Sequence, residues 1–322
     1  MNWENHWPMK IPYTLYSKNE HVKSKNEPHN LSEPSRYLLT FAQKTHHFQI
    51  PEMDLFSQQL NYKPFFVDLV EINVKEPTHI PFDIHDRQLF MFFMLKGSLL
   101  YTTSSKIPII KIQANTFLMS YYDEGSYLAY AERGQHIALV LSIHPDWIES
   151  IDQEYYNVQQ ILQRFLDGKK SYETMGQCRM DRKIHRWLYK IYSYSQNNKG
   201  ALDGNLRKYV SLLLEYYDSL LEDQDKDAAY RIKGFIEEHY CDVSLNVRQL
   251  AAQFFVTERT LLNIFKRTYH VSVQQFITDL RIGHALLLLD QGIGIKDVYM
   301  EVGYADERSF RSALERYQKR KK

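Results

Sequence analysis

From residue 246 to residue 314 the chain carries one pattern written twice, and that echo constrains the fold more than any other feature. In the first copy, Asn246 and Gln249 stand three apart, the spacing of an N-cap and its reciprocal partner. Val247, Leu250, Ala251 and Phe254 then make one apolar helical face. After a break at Phe255-Val256, Thr257 caps a second helix on which Leu261, Ile264 and Phe265 face inward. Ser272 and Gln275 open a longer helix whose apolar spacing runs through Phe276, Leu280, Ala285, Leu288 and Leu289 until Gly292 and Gly294 stop it. The second copy begins at Ile295-Lys296-Asp297-Val298 and turns at Val302-Gly303-Tyr304. It restarts at a capping Asp306, with Phe310 and Leu314 pointing inward. The pattern predicts two helix-turn-helix units joined by a strut. From Val273 to Leu289 that strut spans about 26 Å at the α-helical rise, close to one turn of duplex DNA (~34 Å).

The rest of the chain reads differently. Residues 1 to about 60 are polar and weakly periodic, which predicts an irregular arm with one early strand near Tyr37–Phe41. From Phe65 to Ile143 the spacing is β. Phe65–Val74 alternates at period two, and Gln88–Leu95 is a continuous apolar run of the kind found in strands buried on both faces. Further strands are expected at Leu99–Thr103, Thr116–Tyr121, Ser126–Ala131 and His136–Ile143, in a small sandwich or barrel. Past Pro145 the spacing becomes helical, with breaks near Gly168 and around 196–204. A stripe of Leu206, Val210, Leu213, Tyr217 and Leu220 fits either a helix docked on its own domain or a dimer seam. Residues 222–227 are nearly all charged and read as a linker.

Charge is uneven. Residues 231–322 hold 15 Lys and Arg against 11 Asp and Glu, a net of +4, while the remainder carries −3. A basic end is compatible with a polyanionic partner. No run is apolar and long enough for a membrane span, and the first residues lack the basic and apolar regions of a secretory signal. Cys178 and Cys241 stand far apart and suggest neither a disulfide framework nor a zinc site. Together these features predict a cytoplasmic protein.

On the first unit's second helix, Arg259, Leu262 and Asn263 face outward, beside Lys266 and Arg267. Arg pairs with guanine, Asn with adenine and Leu with a thymine methyl, whereas the Lys266 and Arg267 cations suit phosphates. Arg308, Arg311 and Ser312 are the outward candidates in the second unit. Leu250-Ala251, Thr257, Leu261, Phe265-Lys266, Ser272, Arg281-Ile282, Ala285, Leu288-Leu289, Ile295, Val298, Val302-Gly303-Tyr304 and Phe310 make residues 231–317 resemble the DNA-binding domain of the AraC/XylS family of bacterial regulators.

That resemblance implies an α+β protein in three parts: a cupin-like small β-barrel for sensing and dimerisation over 1–145, with its irregular arm; a helical linker over 146–225; and an all-α DNA-binding domain with two helix-turn-helix units over 226–322. It implies double-stranded DNA as partner, with Thr257, Arg259, Leu262, Asn263, Lys266, Arg267, Arg308, Arg311 and Ser312 at the interface. A small-molecule effector, a homodimer formed through the helix 205–221 and RNA polymerase are further implied partners, and no cofactor or membrane is. Four features depart from the family pattern. Phe255 fills the first turn's usual Gly, Tyr299 replaces a small Ala, Leu314-Glu315 stands where Phe-Lys is usual, and the chain stops at Arg320-Lys321-Lys322.

Two rival readings stay open: an interaction protein that has lost DNA binding on the same scaffold, and a cupin-type metal enzyme. The enzyme reading needs two histidines one residue apart with a nearby glutamate. His79 and His85 are six apart, and His46-His47 would point to opposite faces of a strand, so no metal or catalytic set is expected. The aromatics Phe90, Phe92, Phe93, Tyr101, Phe117, Tyr121, Tyr122, Tyr127 and Tyr130 read mainly as core, with a minority available to line an effector pocket.

Overall fold

The computed structural model describes residues 10–15, 37–151, 155–194 and 199–321. The chain divides into two compact units, Met1–Leu221 and Glu222–Lys322.

The first unit opens with strands β1 (Tyr13–Leu15), β2 (Lys44–Gln49), β3 (Met53–Tyr62), β4 (Phe65–Val74), β5 (Thr78–Ile84) and β6 (Gln88–Lys96). Next come β7 (Ser98–Thr103), β8 (Pro108–Gln113), β9 (Thr116–Tyr122), β10 (Gly125–Ala131) and β11 (Gly134–Ile143). Helices α1 (Pro145–Ser150) and α2 (Tyr156–Asp167) follow, then the short strands β12 (Tyr172–Thr174) and β13 (Cys178–Arg179), helix α3 (Arg182–Tyr192) and the long α4 (Lys199–His239).

The strands form two antiparallel sheets. One runs in the order β1-β5-β10-β7-β8; the other runs β12-β9-β6-β11-β4-β3-β2, with β13 added on β9. They stack as a sandwich, one of the two arrangements expected from the strand spacing, and do not close into the barrel that the family resemblance implies. The larger sheet is a middle layer, and its sequences show why. On β6, Leu89, Met91 and Phe93 join a core shared with α1, α2, α3 and the first part of α4, while Phe90, Phe92 and Met94 join the core between the sheets. A strand covered on both sides needs apolar residues at every position, which is the continuous run read from the sequence. β4 alternates in the same way, Val67 and Leu69 toward the helices and Phe66, Val70 and Ile72 toward the other sheet.

Several expectations change. No strand forms at Tyr37–Phe41; within the polar first 60 residues β1, β2 and most of β3 form instead. β3 escaped notice because Ser57, Gln58 and Gln59 are buried polar residues, satisfied by Asp68 and by the Leu39 backbone. The remainder of the expected arm, residues 1–9 and 16–36, lies outside the described residues. The stripe on α4 is internal: Leu206, Val210, Leu213 and Tyr217 are fully buried in the first unit's own core. Tyr217 fixes the docking, because its hydroxyl accepts from the Met119 amide (3.1 Å) and donates to the Gly176 carbonyl (2.7 Å). Those side chains are therefore unavailable as a dimer seam. Asp218, one residue on, takes the backbone amides of Asn157 and Val158 at the N-terminus of α2. The charged stretch 222–227 is helical within α4 and not an irregular linker.

In the second unit the end of α4 supplies Ile232 and Ile236 to a core with α5 (Val247–Gln253), α6 (Glu258–Tyr269) and the start of α7 (Val273–Asp290). The end of α7 packs with α8 (Ile295–Glu301) and α9 (Glu307–Lys321) around Ile282, Ala285, Val298, Val302 and Phe310.

Candidate nucleic-acid interface

Both units of the echo turn by the same device. At the end of α5 the Val256 amide donates to the Ala251 carbonyl and the Phe255 amide to Ala252. At the end of α8 Tyr304 donates to Tyr299 and Gly303 to Met300. These are Schellman pairs, which need a residue in left-handed backbone at the turn. Phe255 (φ +53°) and Gly303 (φ +87°) supply it. The next helix is capped at once, by the Thr257 hydroxyl taking the Thr260 amide (3.1 Å) and by the Asp306 carboxylate taking the Ser309 amide (2.8 Å). At the expected Asn246–Gln249 and Ser272–Gln275 pairs the cap takes the partner's backbone amide. The Gln275 side chain, however, donates to Asp279 instead of reaching back.

The two halves are joined through α7. Arg281 donates from Nε to the Tyr240 carbonyl (2.6 Å) and from Nη2 to that of Asp242 (2.7 Å), capping the chain where α4 ends. Its guanidinium also lies 5.5 Å from the centroid of the Tyr304 ring. Gly303 rests on the same loop so tightly that a Cβ there would stand 2.6 Å from the Cys241 carbonyl oxygen. Only glycine satisfies both the backbone angle and the approach.

Leu261 and Phe265 of α6 are buried, which turns Arg259, Leu262, Asn263 and Lys266 outward along one face at helical spacing; all four are exposed. Thr257 is exposed at the cap. Arg267, expected among the phosphate contacts, is half-buried and paired with Asp225 of α4 at 2.5 Å, so it ties α6 to α4. On α9 the corresponding face carries Arg308, Arg311 and Ser312, all exposed, and then Glu315 where α6 has Lys266. Arg311 is held by Glu307 one turn back (2.6 Å). Tyr299 sits half-buried on the flank of the second core, whose centre is filled by Val298, Val302 and Phe310.

In the first unit an apolar cavity of about 70 Å³ lies between the sheets, lined by Val70, Phe82, Phe90, Phe92, Tyr101, Tyr122 and Val140, with Tyr13, Ser120 and His136 as polar groups. Among the described residues no charged side chain lines it. His136 is already satisfied, accepting from the Ser98 amide and lying 2.7 Å from the Glu132 carbonyl. Nearby, Asp68 is wholly buried and accepts from the Tyr13 and Ser57 hydroxyls (2.8 Å each) and the Gln59 amide (3.1 Å). Burial nevertheless pushes its carboxyl up to about 6. Sequence reading missed this group, since one Asp inside an alternating strand looks solvent-facing. Among the described residues no three His, Cys, Asp or Glu side chains are grouped to hold a metal, and no helix is long and apolar enough to cross a membrane.

A family model described as a helix-turn-helix domain matches residues 250–319. The Msm operon regulatory protein of Streptococcus mutans is 26% identical over 125 residues, which cover 37% of this chain and 45% of that protein, less than half its length. Among solved structures, the C-terminal domain of AraT, a response regulator from Geobacillus stearothermophilus, is 22% identical, with 28% of this chain and 74% of that one covered and a TM-score of 0.27. Unsaturated fatty acid-bound ToxT from Vibrio cholerae is 15% identical, with 78% and 91% covered and a TM-score of 0.32. The end of this chain, with its two capped turns and central strut, is a helix-turn-helix domain.

Proposed function

We propose that this chain is a sequence-specific DNA-binding transcription regulator that acts in the cytoplasm. The observation that carries the reading is the outward face of α6, where Arg259, Leu262, Asn263 and Lys266 stand exposed over a buried Leu261–Phe265 anchor. A rigid helix presenting a guanine-pairing Arg, an adenine-pairing Asn and a methyl-contacting Leu is suited to the major groove. Lys266 serves a phosphate, whereas Arg267 positions α6 through Asp225. α9 contributes Arg308 and Ser312, but Glu315 and the Arg311–Glu307 pair leave its outward face less positive than that of α6. α6 therefore carries most of the sequence discrimination. The cupin-like first unit would bind a small uncharged apolar effector, because the cavity between its sheets offers no countercharge for an acid. The test is to sequence genomic fragments retained by the protein in its host. Enrichment at a few promoters supports the proposal, and uniform coverage overturns it.

A further inference from the structure

Most cations of the second unit are already engaged. Lys226, Arg231, Lys233, Arg267, Arg311 and Arg320 each form an ion pair with an acid, and Arg281 is held by backbone carbonyls. Arg248, Arg259, Lys266, Lys296, Arg308, Arg316 and Lys319 are exposed and form no ion pair among the described residues. Arg259, Lys266 and Arg308 belong to the reading faces already described, and Arg316 and Lys319 lie toward the end of α9. Arg248 and Lys296 occupy the same place in the echo: each is the second residue of its unit's first helix, α5 or α8.

The agreement is informative because the two copies differ around it. Gln249 and Gln253 of α5 are answered by Asp297 and Glu301 on α8, and Lys266 of α6 by Glu315 on α9. The second copy has turned acidic at three surface positions yet remains basic at this one. In a helix-turn-helix unit docked on DNA the first helix crosses the sugar–phosphate backbone while the second enters the groove. An exposed cation in its opening turn that no acid pairs with is then placed to meet a phosphate.

We propose that Arg248 and Lys296 are backbone clamps, each gripping a DNA phosphate beside its own unit's reading helix. The proposal rests on the duplex-binding reading above and adds two contacts that carry no sequence information. The pair would fix the register of both heads on the duplex, so the second unit contributes position even where α9 reads little.

The test uses the full chain and a mixed-sequence duplex of about 30 base pairs, long enough for two heads one turn apart. Affinity is followed by fluorescence anisotropy from roughly 50 to 200 mM KCl. Arg248→Ala with Lys296→Ala should lower the log–log salt slope by about 1.8, from two lost phosphate contacts. The swap Arg248→Lys with Lys296→Arg should keep the wild-type slope, and thermal unfolding should be the same in all three proteins. A double-alanine slope equal to a steep wild-type slope overturns the clamps and leaves DNA binding standing. A wild-type chain with no affinity for the duplex overturns both readings.

Discussion

Phe255 and Gly303 hold the same left-handed turn position in opposite surroundings. Gly303 is buried against the Cys241 carbonyl, while Phe255 leaves 96% of its surface exposed. A bulky residue in this backbone region costs about 1–2 kcal/mol, partly offset in glycine by its greater unfolded-state freedom. Phe255→Gly should therefore stabilise the second unit by about 0.5–1 kcal/mol, and Gly303→Ala should destabilise it by about 2 kcal/mol or more. Urea midpoints check both, and a destabilising Phe255→Gly would mean the ring packs against something in solution. Asp68 gives a second residue-level test. Its folded-state value near 6 lies above the ordinary carboxyl value, so the native protein holds this proton more tightly than the unfolded chain does. That contribution is complete below pH ~4 and is lost as pH rises through about 6, a decline of about 3 kcal/mol at most. Asp68→Asn should flatten the fall in stability between those pH values; an unchanged profile would show that Asp68 titrates normally.

At the scale of elements, α4 separates two readings of one stripe. Leu213 is fully buried in the first unit, so Leu213→Asp should abolish cooperative unfolding of that unit, at a cost of several kcal/mol. A folded variant that merely changes its sedimentation would return the stripe to a subunit interface. The stripe itself was legible, but an apolar heptad pattern looks the same whether its partner is another copy or the chain's own sheet. The helix-turn-helix elements were the most legible part, because caps, turns and apolar spacing are local signals and agree with one another. β6 and β11 were legible for a different reason, their burial on both faces. β3 and β8 were not. In β3 the buried Gln58 and Gln59 imitate a solvent face, and in β8 Pro108 and the exposed Lys111 and Gln113 imitate a loop. At the interface, sequence supplied the outward face of α6. It could not show that Asp225, distant in the chain, claims Arg267.

For the whole molecule, the proposed function is that of one chain reading DNA with two unequal heads set on a common strut. α7 has 18 residues and so spans about 27 Å, which suits two segments of major groove on one side of a duplex. Ion pairing sharpens the inequality between the heads: α6 keeps Arg259 and Lys266 uncompensated, and α9 keeps Arg308 with Glu315 nearby. Arg259→Ala should erase preference at one base position and cost about 1–3 kcal/mol on the preferred site, with Arg308→Ala costing less. The most direct test is hydroxyl-radical footprinting of the full chain on a fragment it selects from its host's genome. Two protected segments about one helical turn apart are expected, the α6 segment persisting at higher salt. Equal persistence of both segments, with equal losses from the two Arg variants, would contradict the inequality. A single protected segment, or none, would contradict the two-headed reading itself.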